Sequence, residues 1–143
     1  MKKMIRLSFI AAIAAISLSS CKKDEKTRME LLTSGNWKIV SDQEKINNGA
    51  WEEYISGYDA CELDSYFKFN TNNTFEYNEG PTKCDAMDPQ SFSGAWNFEN
   101  GETQINIFGN VENIDELTAS TLITSASETY NGTTYYYKQV YKH

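Results

Sequence analysis

From Gly35 to the end of the chain, apolar and polar residues alternate with a period of two. Trp37 and Ile39 share one face of Trp37-Lys38-Ile39-Val40-Ser41-Asp42. Phe67 and Phe69 alternate with Tyr66, Lys68 and Asn70, and Phe75 and Tyr77 with Thr74, Glu76 and Asn78. The longest case sets Phe92, Gly94, Trp96 and Phe98 against Ser93, Ala95, Asn97 and Glu99. Ile105 and Ile107 follow, then Val111 to Leu117, Thr121 to Ser125 and Thr133 to Tyr141. Alternation over four to eight residues predicts half-buried strands. Turn pairs separate the runs (Asn48-Gly49, Asn72-Asn73, Asn100-Gly101, Gly109-Asn110, Asn131-Gly132) and suit positive-φ hairpin turns.

Eight or nine short strands with hairpin-length links predict an all-β, antiparallel meander. Such a sheet, with one apolar face, becomes a sandwich or closes into a barrel. Sequential short hairpins favour the up-and-down barrel, since a sandwich usually needs longer Greek-key crossings. Closure also removes edges that strands this aromatic would otherwise expose. One helical signal precedes the strands. Thr27-Arg28-Met29-Glu30 fits a capping box, Met29 and Leu32 fall on one face, and Ser34-Gly35 ends the turn. This short helix is long enough to plug an opening but not to build a bundle.

The first twenty residues follow a different pattern. A basic start, Met1 to Arg6, leads into the apolar run Leu7 to Leu18. As a helix that run spans about 18 Å, short of a bilayer core of about 30 Å. It reads as a signal peptide over residues 1–20. Leu18-Ser19-Ser20-Cys21 resembles a bacterial lipobox, which makes Cys21 the expected lipid attachment. Two or three acyl chains, at about 0.8 kcal/mol per buried methylene, anchor a protein stably. Residues 21–28 then form the acylated cysteine and a charged tether, and 29–143 the barrel domain. Lys22-Lys23-Asp24-Glu25 resembles the surface-export signal of Bacteroidetes lipoproteins. The expected location is the outer membrane, with the periplasmic and outer faces both open.

With Cys21 assigned to lipid, Cys61 and Cys84 remain as one pair. Export places them in an oxidising space, so a structural disulfide is expected. The composition excludes more than it assigns. Beyond residue 20 there are ten basic residues against twenty acidic ones, a formal charge near −10 that repels nucleic acid. The single histidine, His143, is the last residue. That removes Ser-His-Asp and Cys-His catalysis and histidine-cluster metal sites. No catalytic residue, cofactor or metal site is therefore expected. The acids Asp59, Glu62, Asp64, Asp85 and Asp88 flank the cysteines, but their spacing matches no calcium loop.

Gly35-Asn36-Trp37, opening the first strand after a short helix, resembles the Gly-x-Trp motif of lipocalins. Gly94-Ala95-Trp96-Asn97-Phe98, and Ile114-Asp115-Glu116-Leu117-Thr118 followed by Leu122, resemble the lipocalin-like domains of Bacteroidetes lipoproteins. The likeness spans about residues 29–143. It implies a β-barrel open at one end, whose members often hold small apolar molecules. In lipocalins an arginine near the chain end covers the motif tryptophan; here the last strand carries only Lys138 and Lys142.

On this reading Trp37, Ile39, Phe67, Phe69, Phe75, Tyr77, Trp96, Phe98, Ile105 and Ile107 face the barrel interior, as candidate ligand-binding residues or as plain packing. The strands carry no arginine to fix a carboxylate, so the expected ligand is small, neutral and apolar. The alternative is a barrel filled by its eighteen aromatic side chains, acting as an envelope accessory module toward a protein partner. Tyr136 is expected on the outside.

Overall fold

The computed structural model describes residues 25–143. The expected signal peptide and Cys21 lie outside the described residues. The first element is α1 (Arg28–Leu32), started by the capping box the sequence predicts. The Thr27 hydroxyl accepts the Glu30 N–H, and the Glu30 carboxylate accepts the Thr27 N–H at 2.7 Å. Five residues are too few for a helix to persist alone, so α1 owes its order to what it packs against.

Nine strands follow: β1 (Asn36–Ile46), β2 (Glu52–Glu53), β3 (Tyr66–Phe69), β4 (Thr74–Asn78), β5 (Ser91–Glu99), β6 (Gln104–Ile107), β7 (Asn110–Leu117), β8 (Thr121–Tyr130) and β9 (Thr133–Lys142). All pairings are antiparallel and, from β3 to β9, join sequence neighbours. β9 then returns to β1, from Lys38↔Lys142 to Ile46↔Tyr135, and closes an eight-stranded barrel. β2 is an additional short strand on the other edge of β1, at Gln43 and Glu44.

That edge of β1 meets β3 only at Asn36 and Trp37. Above those residues the connection from β2 to β3 covers it, through a 3-10 turn (Ile55–Gly57) and helix α2 (Ala60–Asp64). The sequence reading predicted neither. α2 explains two of the acids around Cys61: Asp59 is its N-cap residue, and the Glu62 carboxylate accepts the Asp59 N–H at 2.7 Å. Asp64 accepts the Thr82 N–H, and Asp85 the Met87 N–H. These carboxylates hold loops in shape.

The hairpins use positive φ, as expected, though not always at the expected residues. Asn73, Asn100, Asn131 and Gly132 turn in the left-handed region. The first turn places Asn47 there, and the turn between β6 and β7 uses Phe108-Gly109 rather than Gly109-Asn110.

The chain direction sorts the loops to two ends. The lower end carries α1, the β3–β4, β5–β6 and β7–β8 hairpins and His143, and it is closed. Leu32, Trp37, Phe69, Phe75, Trp96, Ile105, Ile114, Leu117 and Leu122 form one buried cluster there, with Met29 and Phe98 packed against it. Each fully buried large apolar side chain contributes about 1.5–3 kcal/mol. Trp37 is 0 % exposed and donates its indole N–H to the Leu32 carbonyl at 2.8 Å, tying α1 across the opening. Its cover is not a lysine but the C-terminal imidazole, with the His143 ring centroid 4.2 Å from that of Trp37. His143 also reaches the Ala119 carbonyl at 2.6 Å. Gly35 is required by this arrangement, because a Cβ there would collide with the imidazole.

Candidate functional site

Above the closed end the barrel is hollow. A cavity of about 390 Å³ lies between the sheet walls, within the range of small-molecule sites. Of the ten residues expected inside, eight line it: Trp37, Ile39, Phe67, Phe69, Phe75, Tyr77, Ile105 and Ile107. Trp96 and Phe98 do not. The Trp96 indole instead donates to the Asn70 and Thr74 carbonyls at 3.2 and 3.0 Å, holding the β3–β4 turn at the closed end. The interior is therefore filled by side chains at the closed end and hollow above it.

The aromatic wall is built edge to face. Phe67 meets Tyr77 at 5.2 Å with the ring planes 60° apart, and Tyr141 at 6.1 Å near perpendicular. Such contacts add roughly 0.5–1.5 kcal/mol each beyond area burial and hold the ring orientations. Two further phenylalanines stand at the mouth, 47 % and 59 % exposed: Phe92 on β5 and Phe108 in the β6–β7 turn. Phe108 folds back onto Phe75, with centroids 4.9 Å apart. Gly94 makes room for it, since a Cβ there would run into both rings.

The upper wall is polar, and none of its carboxylates was among the ten residues expected inside. A β-bulge lies in β1 between Ile39 and Ser41. One inserted residue reverses which side chains face in. Ile39 stands opposite Tyr141, but above the bulge Asp42 stands opposite Gln139 and Glu44 opposite Tyr137. Asp42 and Glu44 thus point inward. On β7, Glu112 pairs with Ile105 and shares its inward face. A second hollow of about 470 Å³, lined by Asp42, Glu44, Tyr54, Tyr58, Glu112 and Tyr137 among others, continues the first. The two share Tyr58, Glu112, Thr124 and Gln139.

The phenols record the field inside this mouth. The Tyr58 hydroxyl donates to Asp42 at 2.7 Å, and its pKa is raised by burial, by that hydrogen bond and by the Asp42 charge. Burial and the charges of Glu112 and Asp42 also raise Tyr141 above its usual value. Tyr137 donates to Glu128 at 2.7 Å and is pushed up to about 12 by that bond, with partial burial and the charges of Glu128 and Glu44 adding to it.

The mouth is braced by a disulfide between Cys61 in α2 and Cys84 in the β4–β5 loop, as the cysteine count predicted. On the outer wall Lys45 lies 4.4 Å from the Tyr136 ring, the outward side expected for that tyrosine. Lys45 and Lys138 both approach Trp51, at 5.0 and 4.8 Å. Among the described residues no group of three or more His, Cys, Asp or Glu is gathered closely enough to hold a metal ion.

The geometry is that of a cup: a closed antiparallel barrel, plugged below and hollow above. Comparison with curated proteins returns no match. A family model described as a lipocalin-like domain matches residues 33–124, well over half of the chain. With the barrel closed and its Gly-x-Trp tryptophan beneath a C-terminal side chain, the chain belongs to the lipocalin-like domain family.

Proposed function

We propose that this protein is an exported lipoprotein of the Bacteroidetes type, anchored through acyl chains on Cys21, and that its barrel binds a small, largely apolar molecule. The domain follows residues 1–20 (signal peptide) and 21–28 (acylated cysteine and tether). The observation that carries the binding reading is the cavity of about 390 Å³ with its aromatic and aliphatic lower wall. A packed barrel without a ligand would fill that volume with side chains at the usual interior density. Export and anchoring rest on the lipobox resemblance, and the outer membrane is the location proposed with them. The lipocalin-like family is generally one of binding proteins rather than enzymes, in keeping with a carrier or sensor role.

Native mass spectrometry of protein isolated from its own cell envelope tests the binding reading. A co-purified species of a few hundred daltons is expected, and a clean unliganded mass overturns the proposal. For the anchor, Cys21→Ser should yield unprocessed or released protein; unchanged membrane fractionation would refute that assignment.

A further inference from the structure

We infer that the barrel selects an apolar molecule bearing a positively charged head, such as an alkylated amine or quaternary ammonium group. The inference rests on the cavity being a ligand site and adds the charge of what it takes. Four carboxylates line the two connected hollows: Asp42, Glu44, Glu62 and Glu112. Among the described residues, no lysine, arginine or histidine lines either one.

The separation follows from the strand register rather than from overall acidity. On β1 and β9 the lysines fall on the outward phase. Lys38 stands opposite Lys142 and Lys45 opposite Tyr136, while the inward partners are Asp42 with Gln139 and Glu44 with Tyr137. The bulge between Ile39 and Ser41 sets that phase for the upper half of β1. Without it, Gln43 and Lys45 would face in.

The geometry also favours an organic cation over a bare ion. The carboxylates are mounted on separate elements (β1, α2 and β7) around a hollow floored by Phe67, Phe75 and Tyr77, not gathered into one ligand shell. Ring faces attract alkylammonium groups, most strongly when water is excluded. An apolar tail directed toward the closed end would leave its head among Tyr58, Tyr141 and Glu112. Burial first, then the Asp42 and Glu112 charges, raise the pKa values of those two tyrosines, in keeping with carboxylates close to that position.

The test is displacement of a neutral fluorescent apolar probe, N-phenyl-1-naphthylamine, by three decyl compounds with different heads. Decyltrimethylammonium, 1-decanol and decanoate are compared on the purified protein below their aggregation concentrations. The expected result is displacement by decyltrimethylammonium at least about tenfold tighter than by 1-decanol, decanoate weakest, with the advantage shrinking at high salt. Glu44→Gln/Glu112→Gln should erase most of that advantage, read as the ratio of decyltrimethylammonium to 1-decanol displacement within the same variant. Asp42 is left alone because it holds Tyr58. Glu116→Gln, on the outward phase of β7 opposite Ile123, should keep the advantage. Equal displacement by all three heads overturns the charge inference and leaves the cavity reading standing. So does an equal loss in Glu116→Gln, which would trace the preference to bulk acidity. Failure of the probe and of every decyl compound to bind overturns both.

Discussion

Trp37→Phe isolates what closes the lower end of the barrel. The substitution keeps an aromatic ring beneath His143 but removes the indole N–H that Leu32 accepts at 2.8 Å. A buried carbonyl deprived of its donor costs about 1–3 kcal/mol. The smaller ring also leaves a void of roughly 40 Å³ at a site that is 0 % exposed, worth about 1 kcal/mol at ~24 cal/mol per Å³. The expected loss is therefore about 2–4 kcal/mol, or about 8–16 °C in Tm for a domain of this size. Urea unfolding followed by far-ultraviolet circular dichroism measures it, and Trp51→Phe serves as control. Trp51 is a surface residue held by Lys45 and Lys138, and its loss should cost no more than about 1 kcal/mol. A Trp37→Phe loss as small as the control's would show that α1 is not held through this bond, and the account of the plug would fail.

Replacing Cys61 and Cys84 together with serine frees a 24-residue loop and should lower stability by about 3 kcal/mol; a loss under about 1 kcal/mol in denaturant titration would contradict the bracing role. Gly35→Ala should cost about 1–3 kcal/mol by forcing the imidazole off Trp37, and adding His143→Ala should recover most of that loss, so absence of rescue would count against the collision. Glu53 accepts hydrogen bonds from the Ser41 hydroxyl at 2.6 Å and the Asp42 N–H at 2.9 Å, which hold its carboxyl at about 2. Because that value is depressed from 4.5, its tie between β2 and β1 is complete above pH 4.5 and is lost as pH falls through about 2. The Asp42 and Ile55 amide signals in NMR should titrate near pH 2 and stop doing so in Glu53→Gln; a midpoint at 4.5 would refute the bonding pattern.

The strands were legible because each hairpin declares itself locally. Phe67, Phe69, Phe75 and Tyr77 alternate over a few residues, and asparagine and glycine mark the turns between them. Barrel closure followed from the number of such hairpins, and the seam runs from Lys38 to Ile46 as a meander requires. The bulge in β1 was not legible, since one inserted residue has no local signature. Continuing the alternation from Trp37 and Ile39 puts Ser41 and Gln43 inside, whereas the structure brings in Asp42 and Glu44. The polar mouth was missed for that reason. Glu112 could have been found, because it shares its phase with Ile114 on β7, but a glutamate on an inward phase reads as an exception until its neighbours are known. His143 was unreadable as a cover for Trp37, as a terminal residue gives no periodic signal.

The placement of α1 has a mechanical corollary. Thr27 and Arg28 emerge beside the plug, so any leash running back from them is tied to the base of the cup. On the proposed anchoring through Cys21, the attachment would lie on the base side, and the brim with Phe92 and Phe108 would be the end farther from it. Tension applied there would bear first on Leu32 and its bond to Trp37, at the far end from the hollow.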